Sequence, residues 1–116
     1  MLTIDNNTIY FTKGDTAYLD ISLIYADEKP YVAHEGDTIT LSLKRNILDS
    51  DYSLQKVVNA GETIVFNPDD TKDLTAGKYV YDVQLDTSAK EVFTIIPTSD
   101  FYLMEGVTGW VIISRV

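Results

Sequence analysis

The sequence contains no cysteine and only one histidine, and these two shortages exclude much of the usual catalytic chemistry. Without cysteine there is no disulfide, no thiolate nucleophile and no cysteine-ligated metal. His34 alone cannot form a pair of histidine metal ligands, and no Gly-x-Ser-x-Gly elbow is present to supply the nucleophile of a triad. We therefore predict that the protein is not an enzyme, with no catalytic residue, no metal and no cofactor.

Basic residues are also scarce, since 9 Lys and Arg face 18 Asp and Glu, and the formal net charge is −9. The basic residues are scattered along the chain, whereas a nucleic-acid-binding protein needs a basic patch to displace counterions from phosphates. The same charge disfavours docking on anionic membranes. We therefore expect neither nucleic acid nor a membrane as a partner.

Long apolar runs are absent as well. No stretch approaches the roughly 20 apolar residues that span a bilayer, and the first residues lack the basic and apolar regions of a signal peptide. We therefore expect folding and assembly in the cytoplasm.

The acidic residues form two small clusters, Asp49 with Asp51 and the run 69–73. Carboxylate oxygens are ligands for Ca²⁺, but neither cluster has the spacing of an EF-hand loop. The six glycines are isolated and form no phosphate-binding loop. We interpret both acidic clusters as solvated loops.

What the chain does contain is apolar alternation with a period of two. This pattern is typical of strands that are buried on one face, and it is clearest in residues 17–25, 38–44 and 78–86. Shorter segments with the same character are residues 8–12, 54–59, 63–67, 91–96, 101–104 and 109–115. Turn residues separate these segments at the spacing expected of a β-sandwich.

One helical turn is predicted at residues 68–74, and it leads into a second architectural signal. Leu74, Gly77 and Tyr79 have the spacing of a tyrosine corner, in which a tyrosine hydroxyl binds the backbone upstream and fixes a Greek-key crossover. A simple core tyrosine is the alternative. We predict one domain, residues 1–116, with an all-β, immunoglobulin-like Greek-key sandwich of seven to nine strands.

Three stretches resemble small phage and prophage tail proteins. Residues 11–17 (FTKGDTA) are similar to their "TKGDT" opening, and residues 67–85 are similar to their "PxDTxxLxxGxYxYDxQL" stretch. Residues 92–108 resemble their closing strands. The chain thus resembles the immunoglobulin-like N-terminal module of phage baseplate upper proteins from Gram-positive hosts.

This resemblance implies a structural role in a virion, with docking onto other tail or baseplate proteins or onto further copies of the chain. The terminal segment supports an association hypothesis, because it is apolar on both faces of a predicted strand. Trp110, Ile112 and Val116 are the candidate interface residues. A central strand that is buried on both sides is the alternative interpretation.

An extracellular module that binds carbohydrate or a host surface is the second functional hypothesis. Tyr31, Tyr52 and Tyr102 are predicted to be exposed, and tyrosine rings stack on sugar faces. This hypothesis requires the three rings to lie on one face of the fold.

Overall fold

The computed structural model describes residues 1–106, and it has eight strands and one helical turn in that range. In chain order these are β1 (Leu2–Asp5), β2 (Thr8–Thr12), β3 (Ala17–Leu19), β4 (Thr38–Lys44), β5 (Leu54–Asn59), β6 (Ile64–Phe66), α1 (Pro68–Thr71), β7 (Gly77–Asp86) and β8 (Val92–Met104). The predicted fold class, an all-β sandwich with one short helical turn, is confirmed. Within residues 1–106, no helix has the length and apolar character needed to cross a bilayer.

The strands form two sheets of unequal size. The larger sheet has the order β1-β2-β8-β7-β4-β5, and the smaller one contains β3 and β6. Neighbouring strands are antiparallel except β2 and β8, which are parallel. The first and last parts of the described chain therefore meet in the middle of the larger sheet.

β4 shows how the sequence pattern produces the sandwich. Its side chains alternate strictly, with Ile39, Leu41 and Leu43 fully buried and the intervening hydroxyl residues half-exposed. The strand is paired on both sides, with β5 and with β7. Because its buried row points towards β3 and β6, the opposite row forms the outer face of the larger sheet.

The core lies between the two sheets and is rich in aromatic residues. Phe11 from the larger sheet packs against Phe66 from the smaller one, with ring centroids 5.3 Å apart. Phe11 also packs against Phe101 of the neighbouring strand at 6.2 Å. Tilted rings at these distances are a favourable arrangement, so this cluster joins both sheets.

A hairpin between β1 and β2, absent from the sequence prediction, places β1 at the edge of the larger sheet. Its turn residues, Asn6 and Asn7, have φ angles of 47° and 69°. Asparagine tolerates this left-handed conformation, and two such residues match the type I′ turn that suits a two-residue hairpin. The Asn-Asn pair is the signal that sequence analysis missed.

The predicted strand at residues 17–25 is shorter in the structure, where β3 ends at Leu19. Its partner β6 has only three residues, and the last pair of the ladder is Leu19 with Ile64. Beyond that point, residues 1–106 provide no strand that could receive ladder hydrogen bonds. Ile21 and Leu23 nevertheless remain half-buried against the core, which explains the alternating pattern.

Two other predicted strands, residues 91–96 and 101–104, are a single strand, β8. The strand continues through Pro97 by way of a bulge, since the pair Tyr81 with Ser99 is followed by Val83 with Ile96. Proline lacks a backbone N–H, so it is tolerated in strands at bulges and at unpaired edges. The predicted strand at residues 109–115 lies outside the described residues.

Candidate functional site

The predicted tyrosine-corner residues lie together at the start of β7. The hydroxyl of Tyr79, whose side chain is buried, donates a hydrogen bond of 2.6 Å to the carbonyl oxygen of Thr75. Leu74 packs at the margin of the core, and Gly77 has a φ angle of 137°. A Cβ atom at Gly77 would come within 2.7 Å of the Arg45 guanidinium, which itself lies 4.8 Å over the Tyr79 ring. These residues fix the backbone at the start of β7.

Asp37 is the centre of the most strongly hydrogen-bonded polar cluster. Its buried carboxylate accepts hydrogen bonds from the hydroxyl of Tyr31 at 2.7 Å, from the N–H of His34 at 2.9 Å and from the N–H of Ser88 at 2.8 Å. The loop before β4 and the turn between β7 and β8 are thereby joined. We call these four residues the Asp37 cluster.

The electrostatics of the Asp37 cluster are those of a structural anchor. Hydrogen bonds from His34, Tyr31 and Ser88 hold the pKa of Asp37 well below its usual range, although burial acts in the opposite direction. The hydrogen bond to the carboxylate, together with burial, raises the pKa of Tyr31 to about 12. A general base works best with a pKa near the operating pH, so neither group is suited to proton transfer at neutral pH.

The single histidine belongs to this cluster, but its side chain is mostly in solvent. The Nδ1 atom of His34 is 3.7 Å from the Asp37 carboxylate, and its side chain is 70% exposed. Its backbone N–H, rather than its ring, makes the hydrogen bond to Asp37. His34 therefore contributes to the loop conformation through its main chain.

The acidic clusters noted in the sequence have partners within the protein. Asp49 accepts a hydrogen bond from the N–H of Asn46, and Asp70 forms a 2.6 Å ion pair with Lys56. Among residues 1–106, no group of three or more potential ligands is arranged to hold a metal ion. These carboxylates stabilise local structure.

An apolar groove of about 200 Å³ opens between the β1–β2 hairpin and the segment that follows β3. Aliphatic side chains from both sides line it: Ile4, Ile9, Ile21, Leu23, Ile95 and Ile96. It exists because β3 ends early, so that the chain after Leu19 approaches the larger sheet without pairing. We call this surface the apolar groove.

The edge of β8 runs alongside the apolar groove. β8 pairs with β7 along almost its whole length but with β2 only from Phe101 to Met104. Within the described chain, residues 92–100 therefore have a strand on one side only. We call residues 92–100 the open edge of β8.

A second groove, of about 170 Å³, lies on the outer face of the larger sheet. Most of its lining is polar, although Ile47, Val80 and two tyrosines also contribute; the residues used below are Ser42, Lys44, Tyr52, Gln55, Asp82 and Gln84. We call it the outer-face groove. It is positioned by the outward rows of β4, β5 and β7, together with the loop between β4 and β5.

The three tyrosines proposed as a sugar-binding surface are not brought together. Tyr52 lines the outer-face groove, whereas Tyr31 belongs to the Asp37 cluster. Tyr102 is stacked on Tyr10, with ring centroids 5.3 Å apart. Tyr52 and Tyr31 therefore line separate grooves, and the three rings form no shared stacking surface.

The candidate interface residues Trp110, Ile112 and Val116 lie outside the described residues. Sequence analysis missed the Asp37 cluster, the apolar groove and the open edge of β8, because each depends on distant segments coming together. The nearest sequence signal was the apolar alternation that continues through Ile21 and Leu23 after β3 has ended.

No protein-family model matches this sequence, and no curated protein matches it. What the chain does is therefore inferred from its own residues and their geometry.

Proposed function

We propose that the protein is a non-catalytic docking module of a phage or prophage tail, whose open β8 edge pairs with an extended apolar segment of a neighbouring tail subunit. The observation that carries this proposal is the open edge lying beside the apolar groove. The sequence resemblance to phage tail proteins supports the biological setting.

The open edge supplies the backbone part of such an interaction. An extended partner segment adds to a sheet by forming ladder hydrogen bonds, and alternate side chains then enter neighbouring pockets. Ile95 and Ile96 belong both to the edge and to the apolar groove. A strand beside them would place apolar side chains in the groove, where each fully buried aliphatic side chain contributes about 1.5–3 kcal/mol before the cost of ordering the chain.

The edge also lacks most of the features that prevent pairing. Natural edge strands are commonly blocked by charged side chains or proline. In residues 92–100 the only charged residue is Asp100 and the only proline is Pro97. The part before Pro97 includes Val92 and Phe93, which are 60% and 49% exposed. Residues 92–96 are therefore the expected pairing segment.

Co-expression with the products of the neighbouring genes tests the proposal. We expect a stable complex with a tail or baseplate protein, measured by size-exclusion chromatography with light scattering. Ile4→Lys places a charge at the rim of the apolar groove on a side chain that is 51% exposed, so folding is preserved while binding weakens tenfold or more.

The matched control is Ile24→Lys, because Ile24 is similarly exposed at 63% and does not line the groove. This variant is expected to bind like the original protein. A protein that stays monomeric and binds none of the neighbouring gene products contradicts the proposal, as does equal binding by both lysine variants. Trp110, Ile112 and Val116 remain predicted interface residues, and their alanine variants extend the same assay.

A further inference from the structure

The outer-face groove combines one exposed ring with several polar side chains that are fixed on strands. Tyr52 is 53% exposed, and the Lys44 ammonium lies 5.1 Å from the centre of its ring. Lys44 also donates a hydrogen bond of 2.7 Å to the carbonyl oxygen of Asp49. These two contacts hold the ring at the end of the groove, which reduces the entropy lost when a ligand stacks on it.

The floor of the groove offers both hydrogen-bond donors and acceptors. The Gln55 amide donates a hydrogen bond of 3.0 Å to the hydroxyl of Ser42, which orients its own oxygen as an acceptor. Asp82 and Gln84 project from neighbouring outward positions of β7, where Gln84 is paired with Thr40 of β4. Within residues 1–106, the side chains of Asp82 and Gln84 form no hydrogen bond to protein.

Asp82 occupies a partly desolvated position in this groove. Burial raises the pKa of Asp82, and the nearby Lys44 ammonium opposes part of that rise. Neighbouring hydroxyl donors would compensate a carboxylate for the water that it has lost. A ligand rich in hydroxyl groups supplies such donors.

The charge of the site selects among polar ligands. Lys44 is the basic residue of the groove lining and already contacts Tyr52 and Asp49, while Asp82 adds a negative charge. The protein as a whole carries −9. Phosphate-bearing and carboxylate-bearing ligands are therefore disfavoured relative to neutral ones.

We propose that the outer-face groove binds a neutral oligosaccharide, with one sugar ring stacked on Tyr52 and its hydroxyls hydrogen-bonded to Asp82, Gln55 and Gln84. This groove lies on the face of the larger sheet that points away from the core, so the site is independent of the apolar groove. Binding here does not require the tail-docking role.

Saturation-transfer NMR tests the proposal with three neutral probes, cellohexaose, maltohexaose and chitotetraose. We expect at least one probe to bind with a Kd of about 1 mM or tighter. The backbone amide signals of the protein that shift when this probe is added should belong to residues of β4, β5 and β7 around the groove. Tyr52→Ala is expected to weaken that binding about tenfold, because the stacked ring is lost. Asp82→Asn is expected to weaken it less, since the amide oxygen still accepts a hydrogen bond.

Tyr18→Ala is the matched control, because Tyr18 is 70% exposed on β3 of the smaller sheet. It should leave the affinity unchanged, and circular dichroism should show that both alanine variants are folded. The proposal is overturned if none of the three probes binds, if the shift changes map away from the groove, or if Tyr52→Ala binds as tightly as Tyr18→Ala. Binding of oligogalacturonate in place of all three neutral probes would also overturn it.

Discussion

At the scale of single residues, Asp37 is the clearest example of a charge used to stabilise loops. Its side chain is 2% exposed and its carboxylate accepts three hydrogen bonds from two separate loops. Such a carboxylate is strongly stabilised in its charged form, because charge-assisted hydrogen bonds compensate for the loss of water. The sequence shows only an aspartate after a glycine, so this role emerges from the fold.

The low pKa of Asp37 predicts an acid-sensitive contribution to stability. A group whose pKa is lower in the folded state stabilises the fold above its unfolded pKa of about 3.9, and that contribution is lost as the pH falls further. The pKa of Tyr31 is raised to about 12, so its effect has the opposite sign: its contribution to stability is present below about pH 10 and is lost as the pH rises further. We expect the urea midpoint to fall more between pH 6 and pH 3 in the original protein than in Asp37→Asn, because the variant has already lost the charge.

Asp5→Asn provides the control for that measurement, because Asp5 is exposed on the edge strand β1. Its pH profile should follow that of the original protein. If the urea midpoint falls equally in Asp37→Asn and in the original protein, the Asp37 cluster is not the source of the loss of stability at low pH.

At the scale of elements, the helical turn α1 connects the smaller sheet to the larger one. The hydroxyl of Thr71 accepts a hydrogen bond of 2.9 Å from the N–H of Gly14, in the turn between β2 and β3. Asp70 accepts a hydrogen bond of 2.7 Å from the N–H of Asn67 and pairs with Lys56 of β5. Burial acts to raise the pKa of Asp70, but its contacts with Lys56 and Asn67 lower it on balance.

Two adjacent aspartates in α1 allow a controlled test of this connection. The carboxylate of Asp70 and the ammonium of Lys56 belong to side chains that are only 20% and 21% exposed, so Asp70→Asn is expected to cost about 1–2 kcal/mol of unfolding free energy. The new amide can still accept the hydrogen bond from Asn67, which isolates the loss of charge. Asp69→Asn removes the same charge from a side chain that is 85% exposed and should change stability by less than about 0.5 kcal/mol.

Urea unfolding at neutral pH, followed by circular dichroism, measures both aspartate variants. Equal losses from the two substitutions would mean that the ion pair with Lys56 contributes no more than an ordinary surface contact.

The strands show how far local sequence predicts structure in this fold. β2, β4 and β5 have the predicted limits because each is paired along its length and turns one face towards the core, although that face is only half-buried in β5. β3 is shorter than its alternating pattern because its partner is short, and β8 is longer because Pro97 lies at a bulge. The length of a strand depends on its neighbours, which no local pattern specifies.

The candidate sites were less predictable than the strands for the same reason. Tyr52 was recognised as an exposed ring, and Leu74, Gly77 and Tyr79 were recognised by their spacing. The open edge of β8 follows from the parallel pairing of β2 with Phe101–Met104, which leaves residues 92–100 without a second neighbour among the described residues. That pairing joins segments about ninety positions apart, and it is a property of topology alone.

At the scale of the whole molecule, two opposing electrostatic effects act on the fold. Favourable pairs such as Lys56 with Asp70 and Lys13 with Glu105 stabilise particular contacts. Against them stands the mutual repulsion of 18 acidic residues, with only 9 basic residues to offset them. Because most of the pairs are exposed, each contributes little, and the net repulsion should dominate.

This balance predicts that salt stabilises the protein at neutral pH. Raising NaCl from about 20 mM to about 500 mM shortens the Debye length from roughly 20 Å to about 4 Å, which screens the long-range repulsion more than the close, partly buried pair of Lys56 and Asp70. We expect the thermal midpoint, followed by circular dichroism at pH 7, to rise by a few degrees. The rise should shrink near pH 4.3, the isoelectric point given by the sequence, where the net charge is close to zero. A midpoint that falls with NaCl at pH 7 would mean that the ion pairs, rather than the excess of negative charge, determine how the folded state responds to salt.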